Sequence, residues 1–365
     1  MTRILRIGVV GCGAIAQIMH LPHLRDLSDR FVVAALCDLD AARLQLVADH
    51  YRVASRSTEW RRLLDEPLDA VAVLSSGDHS QIVLAALERG LHVFVEKPLA
   101  YTQRQTDAIG EAAERAGRTV MVGMHKRFDP AYRLAAQQVA QMPDLRLVDA
   151  VVVNVDDPAY FTHHALLGIP PHHEPELPLT PAEVAGRVLS GAPRNLIEAQ
   201  LGARGDEDLV AGQLLMSSAI HDIDILRGIA GEPTGVVSAH HWASGTSFAA
   251  MIAFPGGVRA AYAWTSVPGV RHYRETFDFI GQSSRVRLDF PSPYLRNAPT
   301  ALEIEEGRGE ELRTTRIVAS YQEAFLRELL HFHESVVSGR PPLTGVPDAR
   351  RNLDLLTAIG AAMTS

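Results

Sequence analysis

The stretch Ile7-Gly8-Val9-Val10-Gly11-Cys12-Gly13-Ala14-Ile15-Ala16 decides the fold. A short apolar run enters a G-x-G-x-x-A turn, and a helical pattern follows from Ala14 to Leu27, broken near Pro22. The first glycine permits a tight turn and the second lets a pyrophosphate approach the backbone. Ala16 keeps helix and strand close, and the helix N-terminus faces the phosphates. Alone the motif is a weak signal, but its context is stronger. The next apolar run, Phe31 to Cys37, ends at Asp38, about 20 residues beyond the glycines, where a carboxylate can accept hydrogen bonds from ribose hydroxyls. An acidic group there repels a 2′-phosphate, so NAD(H) is favoured over NADP(H). Capping of the following helix is the competing role for Asp38, and Arg43 lies too far into that helix to change the reading.

Working outward, apolar runs at Ala70 to Leu74, His92 to Val95 and Thr119 to Val122 alternate with helical patterns at Ala41 to His50, His79 to Arg89 and Thr102 to Ala116. Such alternation predicts an α/β Rossmann domain, a parallel sheet with helices on both faces, over residues 1–125. After Asp129-Pro130 the pattern changes. A helix (Ala131 to Gln141) and a strand (Leu147 to Val155) precede a proline- and histidine-rich stretch, Asp156 to Pro178, and a helix opened by the capping box Thr180-Pro181-Ala182-Glu183. Successive strands follow: Val236 to Ala243, Ser247 to Phe254, Val258 to Thr265, Arg274 to Ile280, Ser284 to Phe290, and two more. Pro255-Gly256-Gly257 marks a hairpin turn. Helices at Tyr321 to Ser338, with a capping box from Ser320 and Glu323, and at Asp348 to Met363 end the chain. Residues 126–365 therefore read as an α+β domain with an open, mostly antiparallel sheet and an inserted loop-helix region, 156–210.

Composition narrows the function classes. The net charge of −8 argues against general nucleic-acid binding, which needs a basic footprint. Two cysteines, Cys12 and Cys37, suggest no disulfide framework and fit a cytoplasmic protein. No apolar run reaches the ~18 residues of a membrane span, and the first strand begins too early for a signal peptide.

Lysine occurs only at Lys97 and Lys126, while arginine fills the other 33 cationic positions. Where arginine is so strongly preferred, a surviving lysine marks a position that needs a compact ammonium, whose pKa falls on burial. Lys97 stands in Val95-Glu96-Lys97-Pro98, directly after an apolar strand, and strand ends are where α/β proteins bind ligands.

These features together are similar to the Gfo/Idh/MocA oxidoreductase family: the glycine turn, Asp38, Ser75 to His79, Glu96-Lys97-Pro98, Gly123 to Pro130 (GMHKRFDP) and the run from Phe325 to Gly345. The resemblance spans almost the whole chain except residues 156 to 210. It implies a Rossmann domain whose nicotinamide lies against the face of the second domain's sheet. The implied reaction is hydride transfer between a secondary alcohol of a sugar or polyol and C4 of the nicotinamide. It also implies cofactor contacts from Gly11, Gly13, Ala14, Ile15, Asp38, Ser75, Ser76, His79, Glu96 and Lys97.

Oxidising an alcohol needs a base for the hydroxyl proton, best placed with a pKa near the working pH. Lys97 meets this if its ammonium is partly buried beside a positive nicotinamide. A second catalytic candidate is His221, on the helix Ser217-Ser218-Ala219-Ile220-His221-Asp222-Ile223-Asp224. Helical spacing puts Ser217, His221 and Asp224 on one face. The family pattern is D-x-G-x-H-x-x-D, and this chain keeps His221 and Asp224 but has Ser217 for the aspartate and Ala219 for the glycine. A serine cannot stabilise an imidazolium, which shifts proton transfer towards Lys97. Ser217, Asp224, Lys126 and Arg127 are the substrate-binding candidates. Lys126 and Arg127, with His125 beside them, follow the strand that ends at Gly123; pairing with Asp129 is their competing role.

His163-His164 and His172-His173-Glu174 lack the i, i+4 spacing of a zinc motif, so no metal is expected, and adjacent histidines point apart. A substrate-covering loop is the expected role for this stretch. Trp242 and Trp264 read as sheet-packing residues. Three function classes are open: an NAD-dependent dehydrogenase of a sugar, cyclitol or derivative; a redox-neutral enzyme that retains NAD(H); and a non-enzymatic NAD-sensing regulator. The expected partners are a small-molecule substrate, neither nucleic acid nor membrane, and a second copy of the chain. Apolar residues alternate on both faces of Phe248 to Phe254, which predicts a homodimer or homotetramer.

Overall fold

The computed structural model describes residues 3–155, 158–170 and 177–364. The chain forms two compact units, Met1–Met124 with Phe161–His173 and Phe325–Arg351, and His125–Tyr160 with Glu174–Ala324 and Asn352–Ser365.

The first unit holds a six-stranded sheet of β1 (Leu5–Val10), β2 (Phe31–Cys37), β3 (Ser55–Ser57), β4 (Ala70–Val73), β5 (His92–Glu96) and β6 (Val120–Gly123) in the order β3-β2-β1-β4-β5-β6. Every pairing is parallel. The short edge strand β3, made of Ser-Arg-Ser, has no apolar signature and is absent from the sequence reading. Strands β1, β4 and β5 are buried on both faces, which is why they read as continuous Val/Ala/Phe runs. The order reverses between β1 and β4, and the crevice outside the carboxyl ends there is the ligand site of an open α/β sheet. Thr344 closes on β6: its carbonyl accepts from the Val122 amide, and its hydroxyl donates to the Val122 carbonyl. That accounts for the family-like segment near Gly345.

The second unit is built on an eight-stranded sheet of β7 (Leu147–Asn154), β8 (Gly235–Trp242), β9 (Ser247–Ala253), β10 (Arg259–Ser266), β11 (Arg274–Ile280), β12 (Ser284–Phe290), β13 (Ala301–Arg308) and β14 (Glu311–Val318), ordered β14-β13-β12-β11-β7-β10-β9-β8. Only β7 and β10 pair in parallel. One face carries Phe248, Trp264, Tyr262, Phe277, Phe279 and Leu288, all at most 1% exposed. Each such side chain contributes on the order of 1.5–3 kcal/mol of transfer free energy. Trp264 stacks on Phe248 with centroids 5.1 Å apart, whereas Trp242 is half-exposed and packs no core.

The opposite face is only partly apolar. Ala249, Met251, Ala253, Ala261 and Ala263 line β9 and β10 and are partly exposed. Across β11 to β13 the same face is an ion-pair ladder, with Arg285 on Asp278 at 2.7 Å and on Glu305 at 3.5 Å, and Arg287 on Asp289 at 3.5 Å.

Three local expectations need correction. Ser320 and Glu323 form no capping box: the last long helix starts at Ala324, Ser320 accepts from the Gln322 amide, and Glu323 accepts from the Asn297 amide. The helix around His221 is not uniformly α. Asp206–Leu214 runs through a π-turn, Leu215–Ala219, into Ile220–Ala230. This 25-residue stretch is long and apolar enough to cross a membrane by length and composition, contrary to the run-length expectation, and 72% of that window is buried in the protein. The Thr180 capping box forms as expected.

Candidate functional site

The cofactor half lies on the first unit. Gly11 has φ +101°, and a Cβ there would come within 2.6 Å of the Ser75 amide nitrogen. Only glycine permits that approach of the β1 and β4 turns. A Cβ at Gly13 would meet nothing within 4 Å, so its side faces open space at the N-terminus of the helix that begins at Ala14. Space above exposed amides at a helix start suits a pyrophosphate. The residues present therefore fit a dinucleotide.

Asp38 is anchored rather than free: its carboxylate accepts from the Cys12 amide at 2.7 Å and the Asp40 amide at 2.9 Å. Asp40, not Asp38, caps the next helix, accepting from the Ala42 and Arg43 amides. Arg43 does reach Asp38, at 3.4 Å, and Asp40, at 3.2 Å, because the cap turns the first helical residues back over the end of β2. The expectation that it lies too far away is corrected. Burial pushes the Cys12 thiol up to about 12, with the nearby Asp38 charge adding to this. Burial likewise raises Cys37 to about 11.

Glu96 ends β5, and its carboxylate takes a 2.7 Å bond from His20 and a 3.2 Å bond from the Lys97 amide. Burial pushes this carboxyl up, but the bond from His20, with the charges of His20 and Lys97, outweighs it and leaves Glu96 below its ordinary value. Lys97 is partly buried and precedes a cis peptide to Pro98. His79 is 1% exposed, with one ring nitrogen 2.8 Å from the Pro98 carbonyl and the other 2.6 Å from the Ser75 carbonyl. It therefore braces two strand-end loops against each other. Ser75 is partly buried and Ser76 exposed at the same end of the sheet, as are Ala14 and Ile15 after the glycine turn.

The substrate-side candidates lie on the second unit. His221 is partly buried and meets the His125 ring edge-on at 4.8 Å. Its neighbours in sequence point elsewhere. Asp224, 1% exposed, takes bonds from Arg127 at 3.2 Å and Asn352 at 3.0 Å. Lys126, 6% exposed, is paired with Glu275 and lies 3.9 Å from Asp222. Tyr262 donates to Asp222 at 2.7 Å and Tyr273 to Glu275 at 2.6 Å. Burial and the Glu275 charge hold the Asp222 carboxyl well above the usual aspartate range, and both carboxyl groups face the Lys126 ammonium. Ser217 donates to the Gln213 carbonyl at 2.7 Å within the π-turn. Lys126, Arg127 and Asp224, expected on substrate, are thus sealed in side-chain pairs. The π-turn takes Ser217 out of the i, i+4 register with His221, whereas His221 and Asp224 share the regular helix Ile220–Ala230.

Sequence reasoning missed Gln17, His20, Asp222, Glu275 and Asn352. His163 and His164 lie ring against ring at 4.5 Å rather than pointing apart. His172, His173 and Glu174 lie outside the described residues. Among the described residues no group of three or more His, Cys, Asp or Glu could hold a metal. A cavity of about 500 Å³ opens in the second unit beside Val184, Thr246 and Val267.

A parallel sheet with this turn, joined to a mixed eight-stranded sheet, defines a two-unit NAD(P)-binding oxidoreductase class. The model of the oxidoreductase family with an NAD-binding Rossmann fold, GFO_IDH_MocA, matches residues 5–124. Over those residues the chain is similar to the Gfo/Idh/MocA family. A myo-inositol 2-dehydrogenase of Thermotoga maritima is 25% identical over 354 residues, 96% of this chain and 93% of that protein. An inositol 2-dehydrogenase of Paracoccus denitrificans is 39% identical over 142 residues, 38% of this chain and 42% of that one. Several curated relatives are matched over only 39 to 42% of their own length. A 3-ketoreductase of Actinomadura kijaniata, solved with NADP, shares the fold at a TM-score of 0.73 and 18% identity, covering 99% of this chain and 98% of that one.

Proposed function

We propose that the protein transfers a hydride between a secondary alcohol or ketone of a sugar, cyclitol or sugar derivative and nicotinamide C4. The observation that carries this reading is the partly buried Lys97, placed by a Glu96 that His20 fixes, in the unit that also holds the open glycine turn. The inositol dehydrogenases among the relatives support the substrate class. A bound nicotinamide supplies the hydride acceptor or donor. Gly11, Gly13, Ala14 and Ile15 would hold its pyrophosphate, and Asp38 its adenosine ribose. Lys97 takes the hydroxyl proton during oxidation and returns it during reduction, with His221 as the second acid/base.

Asp38 favours NAD(H), since a 2′-phosphate would meet a carboxylate. The partly apolar open face of the second unit's sheet supports pairing with another copy of the chain, and light scattering should return more than one chain per particle. The test of the main reading is a screen of inositols, aminocyclitols and sugar phosphates for NADH formation. A substrate that reduces NAD+ in the wild type and not in Lys97→Ala supports it, and turnover independent of Lys97 defeats it.

A further inference from the structure

The stretch His163 to Glu174 was expected to cover a substrate, yet Leu167 and Gly168 within it bond to the cofactor half. Leu167 exchanges two bonds with one side chain. The Gln17 amide donates to the Leu167 carbonyl at 3.0 Å, and its oxygen accepts from the Leu167 amide at 2.7 Å. The same Gln17 amide also donates to the Cys12 carbonyl in the glycine turn, at 2.8 Å. One residue on, the Gly168 carbonyl accepts from Arg43 Nε at 3.3 Å. Gly168 has φ +64°, and a Cβ there would come within 2.7 Å of the Arg43 Cα, so the backbone lies directly on Arg43. The segment therefore joins the helix that starts the pyrophosphate site to the helix that carries Arg43.

The consequence concerns Arg43. Its guanidinium is engaged on all three nitrogens, by the Gly168 carbonyl through Nε, by Asp38 through Nη1 and by Asp40 through Nη2. Arginine is the residue that accepts a 2′-phosphate beside a Rossmann sheet, and its planar fork must be free to turn towards it. Held this way, Arg43 would have to leave a carbonyl and two carboxylates to meet a phosphate. We infer that Leu167 and Gly168 form a strap that holds Arg43 on Asp38 and so makes Arg43 the residue that sets selection between the ribose hydroxyl and the ribose phosphate. This rests on the reading that the first unit binds a dinucleotide.

Equilibrium binding of NADH and NADPH to the full chain tests it, read as the ratio of the two affinities. Gln17→Ala removes the paired contact with Leu167, and Gly168→Val drives the strap off Arg43. Each should move the ratio towards NADPH by about tenfold, the scale of one hydrogen bond to a charged group. Adding Arg43→Ala to either should abolish that gain. An unchanged ratio in both single variants overturns the inference, and so does a gain that survives Arg43→Ala. If Gly168→Val fails to fold by circular dichroism, Gln17→Ala decides alone. A wild type that already prefers NADPH overturns the inference as well, because a held Arg43 would leave the phosphate facing Asp38. Failure of the wild type to bind either dinucleotide overturns the reading and the inference together.

Discussion

The polar residues of the two units are held in different ways. In the first unit Asp38 leans on the Cys12 and Asp40 amides and His79 on the Ser75 and Pro98 carbonyls, while Glu96 joins the Lys97 amide to the His20 side chain. In the second they pair side chain to side chain, Lys126 with Glu275, Arg127 with Asp224 and Asn352, Tyr262 with Asp222. A backbone-tethered group sits at a turn and is placed by the local chain. A side chain paired with another is sealed, because desolvation is tolerable only when both partners are present. Charge and position in the sequence alone therefore do not separate these two kinds of anchoring.

The largest effect expected from this contrast is on stability. Asp224→Ala should lower the unfolding free energy by about 3–5 kcal/mol, since it leaves Arg127 and Asn352 without their buried partner. Denaturant melts measure this. A loss below ~1 kcal/mol would mean that the pair is open to solvent, and the contrast would collapse at its clearest point. Lys97→Ala, by contrast, should leave the melt nearly unchanged while kcat falls at least ~100-fold, the scale of a lost acid/base group. His221→Ala sharpens the comparison. Near-full activity there would assign proton transfer to Lys97 alone, in keeping with a Ser217 that donates to Gln213.

The same contrast explains what the sequence could show. The parallel sheet, the glycine turn and the Glu-Lys-Pro strand end are local patterns, each written within a dozen residues, and periodicity with turn chemistry exposes them. Partners such as Glu275 for Lys126, 149 positions away, or Asn352 for Asp224, 128 positions away, leave no local trace. His20 shows that this is not a property of one unit. It is the buried side-chain partner of Glu96 from 76 positions away and was equally illegible. Arg43 failed for a different reason: its distance from Asp38 depends on a cap at Asp40 that turns the helix start, and counting positions cannot supply that geometry.

The smallest effect has the most particular sign. Asp222 is raised above the ordinary aspartate value by burial and by the neighbouring Glu275 charge. A carboxyl raised in the folded state contributes stability that is full below its unfolded value near 3.9 and declines as pH rises towards the folded value. The contribution of this one group should therefore fall as pH rises above its unfolded value, until the folded value is passed. Asp222→Asn replaces the carboxyl with a neutral amide, whose oxygen can still accept from Tyr262 and whose NH₂ can donate to Glu275. Its melt should equal or exceed that of the wild type at pH 8, by about 1 kcal/mol, and the difference should shrink as the pH falls. A variant less stable at pH 8 by more than ~1 kcal/mol would show that Asp222 carries a charge there. Lys126 would then be balanced between two carboxylates, and the second unit's pairs would be held by ion pairing alone rather than by a retained proton.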